Sequence, residues 1–187
     1  ISKDPINAKA FLLSSKIYQQ LEQTNKALSF VNKAIEIDDN FINAYFYRAF
    51  LHGELGNFEL RTNDRNTIIK LDPENIANYM DKVYDFYIND KYEEGIDVIN
   101  NMLLTLNDDD DVAEIYRMKG NMHMFLTQEE LALDAYSKAI EIDPKNGFLY
   151  MQKGDYLARE LNRHEEALEL YSKANSLKPD EPSPYYA

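Results

Sequence analysis

Leu71-Asp72-Pro73-Glu74-Asn75, Ile142-Asp143-Pro144-Lys145-Asn146 and Leu177-Lys178-Pro179-Asp180-Glu181 are three versions of one phrase, and Ile37-Asp38-Asp39-Asn40 is a fourth that lacks the proline. Proline cannot extend a helix, and the residue before it avoids the helical conformation, so each phrase reads as a helix exit. With the proline place taken as Pro5, Asp39, Pro73, Asn107, Pro144 and Pro179, the spacings are 34, 34, 34, 37 and 35 residues. A second marker is independent of the first. The aromatic residues Phe11, Tyr45, Tyr79, Tyr116, Tyr150 and Tyr185 are separated by 34, 34, 37, 34 and 35. Two series that drift together define a repeat, and a repeat of this length is one supersecondary unit that buries its apolar face only against its neighbours.

The units run 8–41, 42–75, 76–112, 113–146 and 147–181, with partial repeats at 1–7 and 182–187. Those flanks make the expectation one repeat domain over 1–187, taken from a longer array. Each unit holds two amphipathic helices, with turns expected near 22–24, 56–57, 90–91, 127–128 and 162–163. In the fourth unit Tyr116, Gly120 and His123 share one face of the first helix, while Ala132, Tyr136, Ala139 and Pro144 mark the second helix and its exit. Small residues sit where helices must approach closely.

This pattern resembles the tetratricopeptide repeat family over residues 8–181. Unit four carries the pattern in Tyr116, Gly120, Ala132, Tyr136, Ala139 and Pro144, and unit five in Tyr150, Gly154, Ala167, Tyr171, Ala174 and Pro179. Unit one carries Phe11, Tyr18, Ala27 and Ala34. Units two and three depart from it, because Arg61 and Gly95 replace the first alanine and Ile68 and Met102 the second. The resemblance implies an all-α, right-handed superhelical α-α solenoid of helix-turn-helix repeats, with the first helices lining a concave face. The alanine and tyrosine places of units four and five are then expected inside.

The composition narrows the function. Twenty Lys and Arg against 33 Asp and Glu give a net charge of −13, which repels phosphate backbones, so nucleic acid is not an expected partner. No stretch approaches the ~20 apolar residues that cross a bilayer, and no membrane insertion is expected. With no cysteine the compartment stays open. Glycines at 53, 56, 95, 120, 147 and 154 make no phosphate-binding loop, and no serine lies in GxSxG, so no enzyme and no cofactor is expected.

On the face turned away from the core, the register places Lys9, Leu12, Leu13, Lys16, Gln19 and Gln20, then Asn43, Phe46, Tyr47, Phe50, Gly53 and Glu54, then Ala77, Met80, Asp81, Tyr84, Tyr87 and Ile88. Unit four adds Glu114, Arg117, Met118, Asn121, Met124 and Phe125, and unit five Phe148, Met151, Gln152, Asp155, Ala158 and Arg159. An apolar surface of this kind marks an interaction site, and aromatic and Met side chains offer adaptable contact area. The expected groove is therefore Phe46, Tyr47, Phe50, Met80, Tyr84, Tyr87, Arg117, Met118, Asn121 and Phe125, holding a helix or extended peptide of another protein. The alternative is a self-association arm of a larger protein that buries the same face. The family subgroup that grips a terminal carboxylate with lysines is not matched, since Leu12, Phe46 and Met80 stand where its first lysine would.

Other clusters carry bland readings. Asn107-Asp108-Asp109-Asp110-Asp111 lacks the alternating ligands and glycine of a calcium loop and is read as capping the next helix. His52, His123 and His164 have no ligand spacing, so no metal is expected. Glu93-Glu94 and Glu165-Glu166 fit helix starts. Arg61 and Arg65 occupy places meant for alanine and an aromatic. Three readings stand: an outward shift of their helix, pairing with acids such as Asp64, Asp85 or Asp97, or a site for an acidic partner.

Overall fold

The computed structural model describes residues 5–104 and 112–177. The Asn107–Asp111 acid run, the proline place at Asn107 and Pro179, Tyr185, and the flanks 1–4 and 178–187 lie outside the described residues. Among those described there are ten helices and no strand: α1 Pro5–Gln20, α2 Thr24–Ile37, α3 Ile42–Glu54, α4 Phe58–Leu71, α5 Ile76–Tyr87, α6 Tyr92–Leu103, α7 Val112–Phe125, α8 Glu129–Ile142, α9 Gly147–Arg159 and α10 His164–Ser176. The chain is an all-α helical repeat of the solenoid class. Residues 5–7 extend α1, with Pro5 in the first helical position, where its missing N–H would be unpaired in any case.

The chain divides into two compact units, Ile1–Asn89 and Asp90–Ala187. In the first, α1 through α5 pack each on the next. Leu12, Ala27, Val31, Ala34, Ala44 and Leu51 form its main apolar cluster, with Phe11, Tyr18, Phe41 and Tyr47 against it. In the second, α6 through α10 pack in the same serial way. Ala132, Tyr136 and Tyr156 form one cluster there, and Ala113, Ala139 and Leu149 another.

The turns inside the helix pairs follow one scheme. Glu22, Gly56, Asp90, Thr127 and Asn162 each adopt the left-handed conformation, φ 58°, 69°, 57°, 56° and 53°. In four of the turns the next residue's N–H reaches back to a carbonyl of the helix's last turn: Gln23 to Tyr18, Asn57 to His52, Gln128 to His123 and Arg163 to Leu157, each at 2.9 Å. That bond satisfies a carbonyl left orphaned at the helix end. Only at Gly56 does the residue suit the conformation without cost.

The joints between helix pairs explain why the two sequence series drift together. Tyr45 Oη donates to the Asp39 carbonyl and Tyr150 Oη to the Pro144 carbonyl, both at 3.2 Å. The aromatic residue thus ties the helix it sits on to the exit six residues earlier. At the α4–α5 and α8–α9 joints, Asn75 and Asn146 accept from the N–H of Ala77 and Phe148 at 3.2 Å and cap α5 and α9. The acidic pairs Glu93-Glu94, Glu129-Glu130 and Glu165-Glu166 lie in the first turns of α6, α8 and α10.

The alanine and tyrosine places expected inside are fully buried in half of the cases. Ala132, Tyr136, Ala139 and Ala167 are buried, while Tyr116, Tyr150, Tyr171 and Ala174 are half-buried. Gly120 and Gly154 matter through their partners. A Cβ on Gly120 would lie 2.8 Å from a ring carbon of Tyr136, and one on Gly154 2.8 Å from a ring carbon of Tyr171. Both tyrosines then reach across their own helix pair: Tyr136 Oη donates to Asn121 at 2.6 Å and Tyr171 Oη to Asp155 at 2.7 Å.

Candidate binding groove

In the first unit, α1 and α3 each present one side to solvent, because 3.6-residue periodicity sends Ala8, Ser15, Ala44 and Ala49 inward to close packing and leaves the opposite side of each helix outside. Lys9, Leu12, Leu13 and Lys16 from α1 and Asn43, Phe46, Tyr47 and Phe50 from α3 enclose a cavity of about 640 Å³, with Phe41 at its edge. The register places these eight on the face turned from the core, together with Gln19, Gln20, Gly53 and Glu54, which do not line the cavity. Phe41 was not among them, as it precedes the helix; an aromatic side chain at an N-cap, packed against the preceding pair, is the signal that finds it.

The floor of the groove is firm. Tyr47 and Phe50 stack with ring centres 5.8 Å apart, and the Lys16 ammonium lies 5.5 Å from the centre of the Tyr47 ring. Burial, and Glu54 nearby, push the Tyr47 hydroxyl above its usual pKa, so it stays a neutral donor. Gln19 Nε2 donates to Glu54 Oε1 at 2.9 Å and fastens the far ends of α1 and α3. Leu12 serves the core more than the groove, at 6% exposure, whereas Phe50 is 48% exposed.

Of the remaining expected groove residues, Met80, Tyr84 and Tyr87 lie on α5 of the same unit. Tyr84 is 54% exposed, and Met80 and Tyr87 are half-buried. In the second unit, Phe125 is 48% exposed and stacks on Tyr92 with ring centres 5.0 Å apart. Arg117 is held by Glu114 and lies over the Phe148 ring. Asn121 receives the Tyr136 hydroxyl, and Met118 is buried. Among this unit's expected groove residues, the surface open to a ligand is therefore mainly Phe125.

Arg61 and Arg65 are paired inside the first unit. Both hold Asp85 of α5, Arg65 through Nε at 3.2 Å, and Arg65 Nη1 also holds Asp81 at 2.7 Å. Asp64 is taken by Arg48, with Nη2 at 2.6 Å from Oδ1 and Nε at 3.0 Å from Oδ2. Of the three readings of these arginines, pairing with Asp85 is the one found. Gly53 makes room for it, since a Cβ there would lie 2.9 Å from Arg61 Nη1. Burial raises the Asp85 carboxyl above its usual range, against the pull of Arg65 and Arg61.

His123 is buried and its Nδ1 donates to Gln128 Oε1 at 2.6 Å. His52 is half-buried, and its Nδ1 is enclosed without a hydrogen-bond partner. Desolvation lowers the pKa of both. Among the described residues no group of three His, Asp or Glu is placed to hold a metal ion, and no helix is long and apolar enough to cross a membrane.

A serial helical repeat with a side-chain groove on its first helices defines a protein-interaction module. Residues 8–41, 113–146 and 148–181 each match the tetratricopeptide repeat, more than half of the chain, and the chain belongs to that family. Among solved structures it is similar to MamA of Desulfovibrio magneticus RS-1, 19% identical with a TM-score of 0.68 over 95% of this chain and 98% of that one. It is also similar to YrrB, described as a TPR protein with an unusual peptide-binding site, 18% identical with a TM-score of 0.60 over 91% and 86%. At these identities the likeness shows the fold. A curated relative, the UDP-N-acetylglucosamine–peptide N-acetylglucosaminyltransferase of Giardia intestinalis, is 35% identical over 74 residues. That stretch is 37% of this chain and spans 5% of the relative's length.

Proposed function

We propose that this chain is a non-catalytic scaffold, one repeat domain over 1–187, that holds a helix or extended peptide of another protein against its first helices. One observation carries the reading: eight residues of one register, four from α1 and four from α3, converge on one cavity of about 640 Å³, floored by aromatic rings. In the first unit Phe46, Tyr47, Phe50, Met80, Tyr84 and Tyr87 supply the apolar contact; in the second, Phe125 is the accessible member of the same register, beside Arg117, Asn121 and the buried Met118. The peptide-binding site described for YrrB, a tetratricopeptide repeat protein of like fold, supports the reading.

Desolvated aromatic anchors dominate interface energy while rim charges tune encounter. Phe50→Ala or Tyr84→Ala should therefore weaken a captured partner by about 1–4 kcal/mol, measured by calorimetry, with the circular dichroism of the helices unchanged. Unchanged affinity in both variants sends the binding surface elsewhere. It would favour the self-association reading, in which light scattering shows mass rising with concentration.

A further inference from the structure

The groove between α1 and α3 has a charge opposite to that of the chain. None of its nine lining side chains is an acid, although the protein has 33 Asp and Glu, and two of them, Lys9 and Lys16, are cations. Helix α1 itself, PINAKAFLLSSKIYQQ, contains no acid. Both lysines are exposed, and neither has an ion-pair partner among the described residues. Arg48, Arg61, Arg65, Arg117 and Arg163, in contrast, are all paired with carboxylates. Two unpaired cations on one rim of an apolar cavity, in a chain of net charge −13, form a local complement to negative charge.

Geometry narrows the ligand. Seven residues of helix separate Lys9 from Lys16, about two turns or ~10.5 Å on the same side of α1. An extended chain advances ~3.3 Å per residue and turns every second side chain the same way. In the order acid–x–apolar–x–acid, the two acids and the apolar residue face one side, and the acids stand ~13 Å apart. Flexible lysine stems close that difference. The central side chain then meets Leu13, Phe46 and Phe50.

Resting on the groove reading above, we propose that this cavity takes an extended, internal acidic segment of a partner protein, two carboxylates straddling one bulky apolar residue. Lys9 and Lys16 pair with the carboxylates, and Asn43 offers its amide to the peptide backbone. No free C-terminal carboxylate is needed.

The test uses the full chain and fluorescence anisotropy up to millimolar protein, with three labelled peptides blocked at both ends. One has the core Glu-Ser-Phe-Ser-Glu, one has Gln for both Glu, and one has Ala for Phe. The acidic peptide should bind roughly fivefold or more tightly than the Gln peptide, as expected for two exposed ion pairs. K9E and K16E should erase that preference, Lys16→Arg should keep it, and Phe50→Ala or the Ala peptide should weaken binding further. Equal binding of the acidic and Gln peptides, or indifference to both lysine reversals, overturns the acidic preference and leaves the groove reading standing. No binding of any peptide, or binding that Phe50→Ala leaves untouched, overturns both.

Discussion

At Gly120 a single hydrogen in place of a methyl group decides how closely α7 and α8 approach. The Tyr136 ring occupies the space, and its hydroxyl crosses to Asn121. Gly120→Ala should cost about 1–3 kcal/mol of stability through overpacking, read by thermal denaturation. Combining it with Tyr136→Leu, which removes the ring, should cost less than the sum of the two single changes; strict additivity would mean the two residues do not compete for the space. The same coupling recurs at Gly154 and Tyr171, and its logic accounts for unit one, where the corresponding residues are Ser15 and Val31. With a smaller second-helix residue, Ser15 fits and donates to the Ala27 carbonyl at 2.7 Å. The identities at these places were legible in the sequence, because the 34-residue period lines them up. The hydroxyl partners were not: Asn121 looked like a groove residue by register, and only the reach of Tyr136 shows it committed to the fold.

At the scale of elements, α4 is the exception among the second helices. Its sequence FELRTNDRNTIIKL has few apolar positions in register, and its place for a small residue and for an aromatic are taken by Arg61 and Arg65. Ion pairs to Asp85, with the edge-on contact of Phe58 and Phe86 at 5.6 Å, join it to α5 in place of alanine–tyrosine packing. Asp85 is 1% exposed. Asp85→Ala should destabilise toward the lower end of about 3–5 kcal/mol, since both guanidiniums keep some water contact. Restoring the repeat's own residues, Arg61→Ala and Arg65→Tyr together with Asp85→Leu, should by comparison be close to neutral, because well-packed apolar groups can replace a buried ion pair. Chemical denaturation of both variants checks the contrast. The hairpin turns expected near 22–24, 56–57, 90–91, 127–128 and 162–163 fall at 21–23, 55–57, 88–91, 126–128 and 160–163, within two residues, because turn spacing is a property of the local chain. Which acid answers Arg61 and Arg65 depends on how α4 meets α5, and several aspartates were within range in sequence.

At the scale of the whole molecule, two desolvated imidazoles bear on stability in acid. His52 stands in a setting with Asp64 and Arg48, and His123 with Gln128, Lys119 and Asp134, but desolvation dominates and lowers both pKa values. A histidine with a depressed folded pKa contributes stability that is complete above its unfolded pKa of ~6.5 and is lost as pH falls through the folded value. The melting temperature should therefore drop as pH falls from about 7 toward 5, and the double variant His52→Gln, His123→Gln should flatten that decline. A decline of equal steepness in the variant would assign the effect to carboxylates instead. The histidines' inward placement followed from helical period; their lack of an ionic partner required the packed structure.

The lysine rim of the first groove sets two electric fields against each other at different distances. At separations of about one Debye length, ~8 Å in physiological salt, an acidic segment still meets the field of a chain of net charge −13 and is slowed. Within a few ångströms it meets Lys9 and Lys16, where screening acts less. Added salt then quickens arrival and shortens residence, so the equilibrium affinity for such a ligand changes less with ionic strength than either rate does.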